Sequence, residues 1–133
     1  MNKYFGILAL YFISIFGYGC YDSPYMQGKR LYEARCQNCH MEDGSGLGKL
    51  IPALQNSRLL GTSGMACLII RGKKDSTLQN NQYVVREMPG FPDFSATEVA
   101  NLVNYINHKF QPDFRERTIN QINKDLAPCA SDF

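Results

Sequence analysis

The five residues from Cys36 to His40, C-Q-N-C-H, constrain this chain more than any other stretch of its sequence. Two thiols at this spacing can begin a redox dithiol, half of a zinc site or a covalent haem attachment. A structural zinc site usually needs a second clustered pair of ligands, and the other cysteines lie far apart. A thioredoxin-like dithiol needs a βαβ setting, whereas this sequence is mostly helical in pattern. The histidine directly after the second cysteine favours haem, because it can bind the iron.

The first twenty residues, MNKYFGILALYFISIFGYGC, have the pattern of an export signal. Lys3 makes a short basic region, and the run over residues 4–16 is apolar and uncharged. That run is shorter than the ~20 residues that a transmembrane helix needs. Small residues precede Cys20, as cleavage sites prefer. We predict a signal peptide over residues 1–19 and a mature chain over 20–133; a buried core helix is the alternative.

Cys20 would either stay a free thiol or become the lipidated first residue of a bacterial lipoprotein. Its flank resembles a lipobox in part, because Gly19 fits while Gly17 stands where an aliphatic residue is usual. We expect lipidation, and acyl chains would then hold the protein at the membrane surface. The predicted location is the periplasmic face of a bacterial membrane, or the periplasm if the anchor is lacking.

Charge and composition exclude other classes of protein. The formal net charge is +2 over 133 residues, which is too small for a nucleic-acid-binding domain. The hydrophobic and charged fractions, 44% and 20%, are ordinary for a globular protein, and the length suits one domain.

Capping residues and hydrophobic periodicity predict a chain of short helices with one small β-hairpin. Ser95 and Glu98 fit a capping box, and apolar residues follow at helical spacing as far as Phe110. Asn80 and Asn81 can form the turn of the hairpin. The other predicted helices run from Pro24 to about Cys36, from Thr62 or Ser63 to Gly72, and from about Thr118 to Leu126, before Pro128.

Two segments resemble class I monohaem cytochromes c. GKRLYEARCQNCHMEDGSGLGKLIPAL is similar to their first helix, haem motif and following loop, and MPGFPDFSATEVANLVNYI to their methionine loop and final core helix. The resemblance covers roughly residues 24–110. It implies a cytochrome c domain over 20–133, with that core and a C-terminal extension over 111–133. The implied fold is all-α around one covalently bound haem c, to which we add the small hairpin before the methionine loop.

The resemblance assigns roles to five residues. Cys36 and Cys39 would form thioethers with the haem, and His40 would be the proximal iron ligand. Met88 would be the distal ligand. The backbone carbonyl of Pro52 would accept a hydrogen bond from the ligating imidazole, which would fix the orientation of the ring.

Alternatives remain for the distal position and for the propionate partner. His108 could make a bis-histidine haem, or the iron could keep an open position. No arginine clearly matches the propionate partner of the family; Arg58 and Arg71 are the candidates, and a solvated surface charge is the simpler reading of each.

The odd number of cysteines needs an explanation in an exported protein. With Cys20 lipidated and two thiols bound to haem, Cys67 and Cys129 remain. We predict that an oxidising compartment joins them in a disulfide; two buried, unpaired thiols are the alternative. A cysteine in the middle helix and another near the C-terminus are similar to those of a group of small bacterial lipoprotein cytochromes.

The expected function is that of an electron carrier and not an enzyme, with redox proteins of a respiratory chain as partners. An iron with histidine and methionine ligands has no free site for a substrate. One alternative is a haem-bearing electron-transfer subunit of a larger oxidoreductase complex. Another is a gas-binding or peroxidase-like protein with an open iron site.

Overall fold

The computed structural model describes residues 24–55, 57–111 and 113–132. The predicted signal peptide and Cys20 lie outside these ranges. None of the helices in the described ranges is both long enough and apolar enough to cross a membrane. In chain order, the elements are α1 (Met26–Arg35), α2 (Gln37–His40), α3 (Gly64–Arg71), β1 (Lys73–Gln79), β2 (Gln82–Met88), α4 (Ala96–Phe110), α5 (Ile119–Leu126) and a 3₁₀-helix (Ala127–Asp132).

The core of the fold is the crossing of α1 and α4. Gly28 lies so close to α4 that a Cβ atom there would come within 2.6 Å of the Tyr105 Cβ and closer still to the Asn101 carbonyl oxygen. One turn further along α1, the Tyr32 ring is fully buried and packs 5.6 Å from the Tyr105 ring. Glycine permits this close approach because it has no side chain to hold the helices apart.

The predicted capping box of α4 is confirmed. The Ser95 hydroxyl accepts a hydrogen bond from the Glu98 amide (3.3 Å), and the Glu98 carboxylate accepts one from the Ser95 amide (2.8 Å). These bonds satisfy amides that have no partner within the helix. The helix ends at Phe110, as its hydrophobic spacing predicts.

The predicted hairpin is also present, so the fold is not strictly all-α. Strands β1 and β2 pair antiparallel from Lys73 opposite Met88 to Gln79 opposite Gln82. Asn80 and Asn81 have φ angles of 49° and 63°, which suit the tight turn of a two-residue hairpin. The strands are longer than the turn residues alone predict, and β2 ends at the methionine of the site.

The C-terminal extension folds back onto the helical core. The Asn104 side chain of α4 donates to the Arg117 carbonyl (3.0 Å) and accepts from the Arg117 amide (2.8 Å). Thr118 and Gln121 then form a capping box at the start of α5, which buries Ile122. The predicted final helix is therefore confirmed and ends at Leu126, before Pro128; the chain then continues as the 3₁₀-helix. At the other end, α1 begins two residues later than Pro24.

Candidate functional site

The Cys-X-X-Cys-His motif forms one tight turn directly after α1. The Cys36 amide donates to the Tyr32 carbonyl (2.8 Å), and the His40 amide donates to the Cys36 carbonyl (2.9 Å). One short segment thus carries both thiols and the imidazole. Cys36 is buried and Cys39 is exposed, and both thiols are free. Burial, together with the neighbouring Cys39, raises the pKa of the Cys36 thiol to about 11.

The His40 imidazole is half-buried, and burial lowers its pKa. The Pro52 carbonyl acts on the ring in the opposite direction and raises the pKa. The buried Nδ1 nevertheless makes no hydrogen bond of full geometry, so the approach to Pro52 is a close polar contact that falls short of one. A histidine kept neutral in this way can donate its lone pair to a metal.

The loop after the motif brings the Pro52 carbonyl back towards His40. The Gly46 amide donates to the His40 carbonyl (3.1 Å), and the Leu47 amide donates to the Ile51 carbonyl (2.9 Å). Gly46 has a φ of +67°, and a Cβ atom there would lie 2.8 Å from the Pro52 carbonyl oxygen. A side chain at this position would therefore push Pro52 away from the histidine.

The residue after the motif has an unusual backbone conformation that a tertiary contact supports. Met41 has a φ of 63°, which is unusual for a residue other than glycine. The hydroxyl of the buried Tyr32 donates to its carbonyl at 2.6 Å. The α1–α4 crossing, which buries Tyr32, therefore also fixes the point at which the chain leaves the motif.

Met88 lies at the end of β2, where its side chain is half-buried. We call residues 88–91 the methionine loop. This loop is held against the end of α3, because the Phe91 amide donates to the Ile69 carbonyl at 2.9 Å. Gly72 follows α3 with a φ of +70°, and a Cβ atom there would come within 2.5 Å of the Gly90 nitrogen. The close backbone packing of these two glycines sets the position of Met88.

The alternative distal ligand, His108, lies in a different environment. Its side chain is exposed on α4, with ring centroids 5.4 Å from that of Tyr25 and 5.8 Å from that of Phe114. These aromatic contacts account for its position without a metal.

The two arginines that the sequence offers for the propionates are placed differently. Arg58 is exposed. Arg71 donates from its Nε to the Cys129 carbonyl at 2.8 Å, so it faces the C-terminal extension. Sequence reasoning missed a third arginine, Arg86, which is half-buried and donates to the Lys49 carbonyl at 3.1 Å. The sequence did contain a signal for Arg86. It lies two residues before Met88 in a predicted strand, and side chains two residues apart in a strand lie on the same face.

Cys67 and Cys129 lie next to each other. Their Cα atoms are 5.6 Å apart, their sulfur atoms are in bonding contact, and 62 positions separate them in the sequence. Cys67 is in α3 and Cys129 in the 3₁₀-helix, so this contact attaches the extension to the helix that supports the methionine loop.

Residues 23–106 match the family model described as cytochrome c oxidase, cbb3-type, subunit III. No curated protein matches the chain. The matching family is one of c-type cytochromes, which implies a covalently bound haem c. The described residues fit that group in their chemistry, because two free thiols and a half-buried imidazole lie within a single turn.

Proposed function

Because the chain belongs to the cbb3-type cytochrome c oxidase subunit III family, we propose that it transfers single electrons through a haem c with one histidine and one methionine ligand. In this role the chain is an electron carrier and not itself a catalyst. The observation that carries the proposal is the single turn that holds the free thiols of Cys36 and Cys39 together with the half-buried imidazole of His40.

The residues of the site would each perform one task. Cys36 and Cys39 would hold the haem covalently, and His40 would be one ligand of its iron. The Pro52 carbonyl, which makes a close polar contact with the imidazole, would help to orient the ring. Met88 would be the second iron ligand, and the hydrogen bond from the Phe91 amide to the Ile69 carbonyl would restrain the loop that carries it. When bound, the haem supplies the one-electron couple, and the fixed ligands keep the rearrangement on transfer small.

A second candidate is a haem-bearing subunit of a respiratory oxidase complex, with redox proteins as partners. The family description favours it, because the family is that of an oxidase subunit. A free carrier and a subunit share the same haem site, so they differ only in stable association. Gentle solubilisation of membranes, followed by size-exclusion chromatography with haem detection, separates them. A subunit elutes with oxidase polypeptides, whereas a free carrier elutes alone.

We also propose that the protein is a small class I monohaem lipoprotein, exported to the periplasmic side of a bacterial membrane. The apolar leader and Cys20 support this proposal. The contact between Cys67 and Cys129 supports a disulfide, which an oxidising compartment would maintain. Mass spectrometry of the mature protein tests the lipid anchor and the disulfide, because acyl chains and a disulfide change the mass differently.

The haem assignment is tested by the double variant Cys36→Ala, Cys39→Ala, expressed with export and haem attachment. We expect the variant to lose covalent haem, seen as loss of haem staining on a denaturing gel and of the porphyrin mass. The double variant Cys67→Ala, Cys129→Ala is the matched control and should keep the stain. Retained staining in the first variant would disprove thioether attachment at the motif.

The distal ligand is tested by comparing Met88→Leu with Met26→Leu, which changes another half-buried methionine. The resemblance to class I cytochromes c leads us to expect a weak red absorption band from Fe(III)–methionine ligation. Only Met88→Leu should lose this band, and only this variant should bind CO rapidly when reduced. A wild-type protein that lacks this band and binds CO would instead support the open-iron alternative.

A further inference from the structure

We propose that Arg86 binds a propionate group of the haem, with its guanidinium held between the hairpin and the loop that follows the haem motif. The proposal rests on the covalent haem and not on the redox partner or on the choice between carrier and subunit. Its structural basis is the half-buried guanidinium of Arg86, which shares a strand face with Met88 and has no carboxylate partner among the described residues.

The first observation is the position of Arg86 on β2. Exposure alternates along the strand, and Val84, Arg86 and Met88 are its half-buried residues. Successive side chains of a strand point to opposite faces, so Arg86 shares a face with Met88, two residues away. The side chain is therefore directed to the same side of the hairpin as the candidate iron ligand.

The second observation is that the guanidinium is fixed in place by neutral acceptors. Nη1 donates to the Lys49 carbonyl at 3.1 Å, and Nη2 donates to the Thr77 hydroxyl at 3.4 Å. The Lys49 carbonyl belongs to the loop between His40 and Pro52. Arg86 thus connects the strand that carries Met88 with the segment that carries the proximal histidine.

The third observation is that the Arg86 guanidinium has one unpaired N–H group and, among the described residues, no anionic partner. Its Nε is buried and has no hydrogen-bond partner. Its cross-strand neighbour is Asp75, but the Asp75 carboxylate pairs with the Lys73 ammonium at 2.8 Å. Across residues 24–55, 57–111 and 113–132, no carboxylate lies within ion-pairing distance of Arg86. A half-buried cation normally has an anionic partner, and an arginine offers a carboxylate two parallel donors.

A haem propionate is a carboxylate of the required kind. Neither of the other arginines considered above combines these features, since Arg58 is exposed and Arg71 donates to the Cys129 carbonyl. A propionate would supply the negatively charged partner that Arg86 lacks and a hydrogen-bond acceptor for its Nε. The hairpin would then do more than carry the methionine, because it would also bind the acidic edge of the porphyrin.

The test uses the haem-loaded variants Arg86→Gln and Arg86→Lys, with Arg58→Gln as the exposed-arginine control. Removal of the cation should leave the propionate charge uncompensated and favour the ferric state. We expect Arg86→Gln to lower the ratio of ferrous to ferric protein at a fixed potential by roughly tenfold, or about 59 mV for a one-electron couple. The propionate bending mode in resonance Raman spectra should shift as well. Arg58→Gln should match wild type in both measurements.

The Lys variant keeps the charge but loses Nε, so its redox ratio should change less while its propionate mode still shifts. If Arg86→Gln does not retain haem, the propionate mode of Arg86→Lys decides the question. The proposal would be overturned if both Arg86 variants kept the redox ratio and the propionate mode of wild type and lost only folding stability. Arg86 would then serve only to connect β2 with the Lys49 carbonyl. Wild-type protein without covalent haem would instead disprove the proposed function.

Discussion

The substitution Gly28→Ala tests the helix crossing on which the whole site depends. A Cβ atom at this position would lie 2.6 Å from the Tyr105 Cβ and nearer still to the Asn101 carbonyl oxygen. Ordinary contacts between carbon atoms are about 3.5–4.0 Å, so α1 and α4 would have to separate by roughly 1 Å. One of the obstacles is backbone, which cannot rotate out of the way as a flexible side chain can.

The expected effect is a net loss of about 2 kcal/mol in the free energy of unfolding. Alanine is better than glycine within a helix by up to about 1 kcal/mol. Overpacking usually costs about 1–3 kcal/mol. The cost at Gly28 should be at or above the upper end of this range, because the Asn101 carbonyl belongs to the backbone and cannot move aside. The same movement would loosen the packing of Tyr32, which holds the Met41 carbonyl. For a domain of this size, a loss of that magnitude lowers the midpoint of thermal unfolding by about 10 °C.

The assay is thermal and guanidinium unfolding of the ferric holoprotein, followed by circular dichroism of the helices. Gly64→Ala is the matched control, because this glycine is also in a helix and its nearest neighbour would be the Leu59 side chain at 3.4 Å. The control should be as stable as wild type or slightly more so. If Gly28→Ala matched wild type, or if both variants lost the same stability, the close approach of α1 to α4 at Gly28 would not limit the size of the residue there.

Three further predictions concern the cap, the cysteine pair and the methionine loop. Hydrogen bonds from Ser95 hold the pKa of Glu98 below its usual range, so the stability that Glu98 contributes is present above about pH 4.3 and is lost as the pH falls through the lower pKa of the folded state. In acid titrations, the free energy of unfolding of Glu98→Gln should therefore fall less steeply with decreasing pH than that of wild type. An unchanged slope would contradict this. If Cys67 and Cys129 form a disulfide, their replacement by alanine should cost about 4 kcal/mol in denaturant titrations, and wild type that is insensitive to reductant would argue against the bond. Gly72→Ala should displace the methionine loop and weaken the red absorption band, whereas an unaltered band would show that the loop tolerates a Cβ atom there.

Local chemistry made several elements predictable from the sequence. The capping box at Ser95 and Glu98 depends on residues only three positions apart, and the turn at Asn80 and Asn81 depends on their tolerance of positive φ. Such signals are read without knowledge of the rest of the fold. The haem motif is local in the same sense, because its three side chains lie within one turn.

Arg86 could not be predicted in the same way. Its interaction with the Lys49 carbonyl joins residues 37 positions apart, and only the packing of the hairpin against the loop brings them together. The burial of its Nε depends on the same packing. In the sequence alone, Arg58 and Arg71 were equally plausible as the propionate-binding arginine, because the identity of a basic residue does not indicate which group it will contact in the folded protein.

The support of Met88 is also a tertiary property, and it extends to the end of the chain. The methionine loop is bonded through Phe91 to the Ile69 carbonyl of α3. On its other side, α3 contacts the C-terminal extension, where Arg71 donates to the Cys129 carbonyl. A short helix of eight residues has little stability of its own, since helices of this length depend on tertiary packing. The extension therefore stabilises the helix against which the methionine loop is held, although it lies far from the haem motif in sequence.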